Sequence, residues 1–145
     1  KLIREWTSLP IYLKGILRPD DALKAAAIGV DGIIVSNHGG RQIDGSVSSV
    51  EALPAILAAV KDKLDVWLDS GIRSGSDVYK CIAMGATGVL IGRPYAMALA
   101  CNGQQGIVDC LTNIMSELEL HMALSGCHTL NELNSELISH PWKTI

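Results

Sequence analysis

The sequence predicts an α/β fold of four βα units, half of a (β/α)8 barrel, followed by C-terminal helices. Three observations predict it. Short apolar bursts of strand length alternate with helical patterns, the pattern repeats internally, and each burst gives way to polar or charged residues. Strands that are apolar throughout are expected where both faces of a parallel sheet are covered.

Pro10-Ile11-Tyr12-Leu13 reads as the first strand, and Pro19-Asp20-Asp21 opens a helix that Gly29 stops. Proline suits a first helical turn, acids suit the positive end of the dipole, and glycine suits the stop. Gly32-Ile33-Ile34-Val35 is the second strand, followed by a Gly/Ser-rich loop from Asn37 to Ser49 and a helix from about Val50 to Val60. Val66-Trp67-Leu68 is the third strand; Ser76-Asp77 is expected to cap a helix ending near Gly85, and Gly88-Val89-Leu90-Ile91 is the fourth strand. From Pro94 the chain reads as helical. Thr129-Leu130-Asn131-Glu132 has capping-box spacing and predicts the start of a last helix.

The internal repeat has a period of 56 residues: Gly15, Ile16, Asp21, Lys24, Ala27, Gly29 and Gly32 recur as Gly71, Ile72, Asp77, Lys80, Ala83, Gly85 and Gly88. A repeated βαβ unit favours a right-handed parallel array. The alternative, a doubly wound open sheet, would call for a GxGxxG after a strand, and none is present. A whole barrel needs roughly 250 residues, so 145 residues with four units are read as one partial domain over residues 1–145.

Bulk properties narrow the function. With 48% hydrophobic and 19% charged residues the chain can bury a core, and a net charge of −3 gives no footprint for nucleic acid. No apolar run reaches the ~18 residues that a membrane span requires. The opening Lys1-Leu2-Ile3-Arg4-Glu5-Trp6 lacks a secretory leader's apolar run, and Trp142-Lys143-Thr144-Ile145 is no Ser-Lys-Leu-type peroxisomal address. An intracellular location is expected, with peroxisome and cytoplasm left open. Cys81, Cys101, Cys110 and Cys127 lack ligand-like spacing and are expected to be reduced and mostly buried.

In a parallel α/β array, function gathers where strands end and helices begin. Those ends hold Lys14-Gly15, Ser36-Asn37-His38-Gly39-Gly40-Arg41, Asp69-Ser70-Gly71-Ile72-Arg73 and Gly92-Arg93-Pro94. Leu-Lys-Gly, Ser-Asn-His-Gly-Gly-Arg-Gln, Asp-Ser-Gly-Ile-Arg-Ser-Gly and Ile-Gly-Arg-Pro, in this order, make the chain resemble the FMN-dependent 2-hydroxy acid oxidases and dehydrogenases of the glycolate oxidase and lactate dehydrogenase type. Asn37-His38-Gly39-Gly40-Arg41 discriminates this family from other phosphate-binding barrels. The likeness runs from Leu9 to about Leu133 and implies the C-terminal half of the family's TIM-barrel domain.

The resemblance implies FMN as cofactor, a small L-2-hydroxy acid as substrate, oxygen or another electron acceptor, and a homo-oligomer. It makes His38 the general base, since an imidazole can accept a proton near neutral pH. Departure of the electrons as hydride or through a carbanion stays open. Arg41 would clamp the substrate carboxylate through two-point pairing. Lys14 would stand by the flavin's pyrimidine edge, where negative charge develops on reduction. Ser36 would hydrogen-bond the same ring system, or simply cap a strand end. Asp69 would meet the ribityl hydroxyls, while Gly71, Arg73, Gly92 and Arg93 would hold the phosphate. Family members commonly have glycine where this chain has Ser70. A different class of reading is a truncated half-barrel or pseudoenzyme that binds FMN or phosphate at most.

The remaining features read as structure. Ala96–Leu99 and Leu118–Leu124 are expected to be helical core faces, and Glu117 with Glu119 a solvated one. His121, His128 and His140 lack ligand spacing and are expected to be exposed or capping.

Overall fold

The structure, a computed structural model, describes residues 2–61 and 63–139. The elements run α1 (Leu2–Trp6), β1 (Tyr12–Ile16), α2 (Pro19–Ala27), β2 (Gly32–Val35), α3 (Ser49–Val60), β3 (Asp65–Leu68), α4 (Gly75–Met84), β4 (Gly88–Val89) and α5 (Arg93–Leu124). Turns of 3-10 helix occupy His38–Gly40, Leu130–Glu132 and Ser135–Leu137. By its contacts the chain divides into two compact units, Lys1–Gly71 with Ala86–Leu90, and Ile72–Gly85 with Ile91–Ile145. The α/β class and the parallel βα units of a partial barrel agree with the sequence.

The first unit holds the whole sheet, four parallel strands in the order β1-β2-β3-β4. Ile33, Val35 and Leu68 from the strands and Leu53 and Ile56 from α3 are fully buried, and they form this unit's core. The repeat is visible in the packing. Gly32 opens β2 opposite Tyr12, and Gly88 opens β4 opposite Trp67. A Cβ at either glycine would run into the aromatic ring of its partner strand. The ends of the repeated helices match too: Gly29 and Gly85 both take positive φ, 77° and 109°, where a helix stops.

β1 lies later than expected. Pro10 has no N–H to give, and the Ile11 amide is taken by the Asp31 carboxylate at 2.7 Å. The pairing then runs on past Lys14 through a bulge at Gly15 (φ 96°) to match Ile16 with Val35. β4 is shorter than expected, with one further bond from the Leu90 amide to the Leu68 carbonyl. At the other end of the strands, Arg4 reaches Asp31 at 2.5 Å, and the Ile11 amide and Arg4 together hold the Asp31 carboxyl below its ordinary value. α3 begins with a capping box, Ser48 with Glu51, one residue before the expected start.

The second unit is helical. α4 is capped by Ser74 rather than by Ser76-Asp77, because only Ser74 is placed to accept from the Asp77 amide. Asp77 completes the box as its third helical residue. Tyr79, Ala83, Cys127 and Leu133 form a buried cluster against which Ile82, Leu118, Met122 and Ile138 pack. α5 is interrupted at Asn102 and Gly103, whose dihedrals are not helical.

Three expectations change in this unit, and a fourth is extended. The apolar stripes of α5 are largely exposed, Met97 at 60%, Leu120 at 56% and Leu124 at 79%. The buried Ile114 and the partly buried Leu118 and Met122 recur at four-residue steps, so they mark a single inward stripe. Glu117 is exposed, as a solvated face requires, and has a structural part besides: its Oε2 accepts the Gly75 amide at 2.7 Å. Thr129 starts only a 3-10 turn, because Asn134 intercepts both groups that would extend it. Its Nδ2 donates to the Glu132 carbonyl and its Oδ1 accepts the Glu136 amide. His121 is half-buried, its Nδ1 2.7 Å from the Glu117 carbonyl and its ring against Tyr79.

All four cysteines are free; Cys81 and Cys127 are buried, Cys110 is half-buried and Cys101 is exposed. Burial, with Asp77 adding to it, pushes the Cys81 thiol up to about 12. No helix among the described residues is long and apolar enough to cross a membrane. His140 and Trp142-Lys143-Thr144-Ile145 lie outside the described residues.

Candidate active site

Three strand ends of the first unit place polar side chains in direct contact. Lys14 sits on β1 just before the bulge, Ser36 follows β2, and Asp69 follows β3. The Lys14 Nζ donates to the Ser36 Oγ at 2.9 Å and forms a short ion pair with the Asp69 Oδ2. Ser36 is buried, while the Lys14 side chain keeps 42% of its surface exposed. Burial pushes the Asp69 carboxyl up, but Lys14, Ser36 and Ser70 together outweigh it and leave it below the ordinary aspartate value.

The segment after Ser36 turns sharply. His38, Gly39 and Gly40 have φ of 56°, 70° and 71°, a left-handed run that glycine adopts freely and histidine does not. A side-chain oxygen meets each of their three amides. Ser36 Oγ accepts from His38 at 3.1 Å, Ser70 Oγ from Gly39 at 2.9 Å, and Asn37 Oδ1 from Gly40 at 3.1 Å. The buried Ser49 anchors the turn's base by accepting the Asn37 amide at 3.1 Å. His38 is thereby exposed on a turn with fully occupied amides, and Arg41, also exposed, follows directly.

The other expected site residues are distributed over both units. Gly71 ends the first, at φ 104° with open space where a Cβ would stand. Arg73, Gly92 and Arg93 belong to the second unit. Arg73 is exposed before α4, and its own amide is held by the Asp77 Oδ2 at 2.9 Å. Gly92 is the N-cap of α5 and, lacking a side chain, leaves that helix start without a side-chain cap; Arg93 is the first helical residue and is exposed.

Sequence reasoning missed Asn37, Ser49 and Ser70. Ser70 takes φ 72°, a conformation natural to the glycine that the resemblance leads one to expect there. That substitution was the available signal. It marks a serine kept in a glycine's backbone, where its hydroxyl has a partner on each side.

The chain can be compared with known proteins on this footing. The family model described as FMN-dependent dehydrogenase matches residues 1–140. The chain is 50% identical over 137 residues to an L-lactate dehydrogenase of Xanthomonas oryzae pv. oryzae, covering 94% of this chain and 35% of that protein. It is 48% identical over 136 residues to the mouse (Mus musculus) 2-hydroxyacid oxidase 1, covering 94% of this chain and 37% of that one. Among solved structures, a mandelate oxidase with (S)-4-hydroxymandelic acid superposes with a TM-score of 0.87 at 48% identity, over 90% of this chain and 37% of that chain. The chain thus spans little more than a third of the length of the relatives it matches. With the family model matching residues 1–140 of its 145, the chain belongs to the FMN-dependent dehydrogenase family.

Proposed function

We propose that the protein to which residues 1–145 contribute part of a catalytic domain oxidises a small L-2-hydroxy acid to the 2-oxo acid, passing the electrons to oxygen or another acceptor. The observation that carries this reading is the cluster of Lys14, Ser36 and Asp69 beside the hydrogen-bonded His38 turn, in a chain of the FMN-dependent dehydrogenase family. The relatives' names, L-lactate dehydrogenase and 2-hydroxyacid oxidase, support the substrate class.

The donor set suits a flavin. A half-exposed ammonium, a carboxylate held ionised and a buried hydroxyl offer the mixed partners that a ring edge and a ribityl chain require. For the phosphate the resemblance assigns Gly71, Arg73, Gly92 and Arg93; the start of α5 carries no side-chain cap, and Arg73 and Arg93 would supply charge. Bound FMN would supply the two-electron acceptor. Lys14 would hold fixed positive charge near the ring system, with Ser36 and Asp69 orienting it by hydrogen bonds. Arg41 would pair with the substrate carboxylate and so orient the 2-carbon. His38 would accept the proton that leaves the substrate, its imidazole standing on a turn whose amides are each hydrogen-bonded.

The test is anaerobic mixing of the purified full-length flavoprotein with glycolate and L-lactate. Bleaching of the flavin absorbance by either acid is the expected result; a bound flavin bleached by neither would overturn the reading. The second reading, a part that binds FMN or phosphate without turnover, draws on the fractional coverage of the relatives and is expected to give the latter result.

A further inference from the structure

We propose that Ser70 is a positioning residue for His38: its hydroxyl bridges Asp69 to the Gly39 amide and thereby holds the turn on which the imidazole stands. The proposal rests on the reading of His38 as the base.

A serine hydroxyl has one hydrogen. Here it is committed to the Asp69 Oδ1 at 2.7 Å, which leaves a lone pair directed at the Gly39 amide, 2.9 Å away. Asp69 is itself fixed from its other side, where its Oδ2 pairs with Lys14. The same Lys14 donates to Ser36, and Ser36 accepts the His38 amide. Two successive amides of the turn are therefore reached from one ion pair by two routes, with one serine in each. The third amide, that of Gly40, is held locally by Asn37. Removing the Ser70 hydroxyl removes the acceptor of the Gly39 amide, at the residue directly after His38.

Backbone conformation makes the hydroxyl conspicuous. Ser70 stands at φ 72°, where glycine would be unstrained, and His38 at φ 56° is strained as well. A glycine at position 70 would suit the chain's path better and could not form the bridge. Strain at Ser70, and at the His38 that directly precedes its partner Gly39, is the arrangement expected where orientation, and not stability alone, depends on the contact.

The full-length flavoprotein with Ser70→Gly or Ser70→Ala separates these effects. Glycine relieves the strain and deletes the hydroxyl; alanine keeps the strain and deletes the hydroxyl. Both variants should lose about tenfold in the anaerobic flavin reduction rate at saturating hydroxy acid, with FMN affinity held within about twofold. Thermal stability should hold or rise for glycine and fall for alanine. Hydrogen exchange should quicken at the Gly39 amide in both variants, while the His38 amide, held by Ser36, keeps its protection. Ser70→Thr should restore the rate, because it restores the hydroxyl. A glycine variant with the parent's rate and unchanged protection at Gly39 would overturn the proposal. Rate losses that follow stability, present in alanine and absent in glycine, would overturn it as well. Failure of the parent itself to bleach with any hydroxy acid would count against the functional reading, and exchange at Gly39 would then decide the bridge by itself.

Discussion

His38 is the residue on which the proposed chemistry depends most directly. Its backbone is held through its own amide and that of Gly39, so the imidazole can be removed with the turn left in place. His38→Ala in the full-length protein is expected to slow flavin reduction by about 10²–10⁴-fold while FMN stays bound, and stopped-flow absorbance would measure it. Asp69 gives a prediction in pH. Its folded-state carboxyl titrates below the ordinary value of about 3.9, so the stability it contributes is full above that value and is lost as the pH falls through the depressed one. Asp69→Asn should therefore lower the urea midpoint near neutral pH, and its deficit against the parent should shrink as both are taken below about pH 4. A deficit independent of pH would mean that shape, not charge, is what Asp69 supplies. Lys14, Ser36, Asp69 and His38 could be picked from the sequence because each follows an apolar burst, where a parallel strand must end. Ser70 stood out only as a departure from glycine; its role depends on a left-handed dihedral and on a partner 31 residues earlier in the chain.

At the scale of elements, the start of α4 is the most tightly specified place in the second unit. Asp77 takes the amides of Arg73 and Ser74, Glu117 takes that of Gly75, and Ser74 takes that of Asp77. A Cβ on Gly75 would collide with the backbone of α5 at Ile114 and Leu118. Glu117→Ala should cost about 1–3 kcal/mol by urea unfolding, since it strips a part-buried amide of its acceptor, and Glu117→Gln should recover much of that. Equal losses for Ala and Gln would indicate that the charge matters, not the acceptor. β2, the stop of α2 at Gly29 and the start of α5 near Pro94 were legible, because local apolar runs, glycines and a proline decide them. The start of β1, the cap of α4 and the Asn134 interception were not, because a carboxylate or amide elsewhere settles which backbone group is free. The inward stripe of α5 is set by its neighbour α4, which periodicity alone does not identify.

For the molecule as a whole, sheet order is the feature with the widest effect. β1 and β4 are the outer strands of a four-stranded parallel sheet, and several large apolar side chains of α5 are exposed. A parallel sheet is stable when its edges are paired or covered. The 145-residue chain expressed by itself should accordingly self-associate, and it should not turn over glycolate or lactate. Sedimentation and a flavin-bleaching assay would check both. A monodisperse monomer with turnover would contradict the partial-barrel account. Four units, their order and their parallel sense could all be read from the 56-residue repeat. The repeat could not reveal which side chains of one unit would meet those of the next.

The two aromatic–glycine pairs carry an implication for the chain's ancestry. Tyr12 over Gly32 and Trp67 over Gly88 are two locks of one kind, although the glycines stand 56 residues apart and the rings 55. Once a large ring has settled over a missing Cβ, the glycine cannot drift alone: a bulkier residue in its place has nowhere to go until the ring shrinks. The ring, by contrast, was free to become tyrosine in one copy and tryptophan in the other. Descent from a doubled ancestor would keep the small residue in register and let the large one facing it change, which is the difference between the two glycines and the two rings.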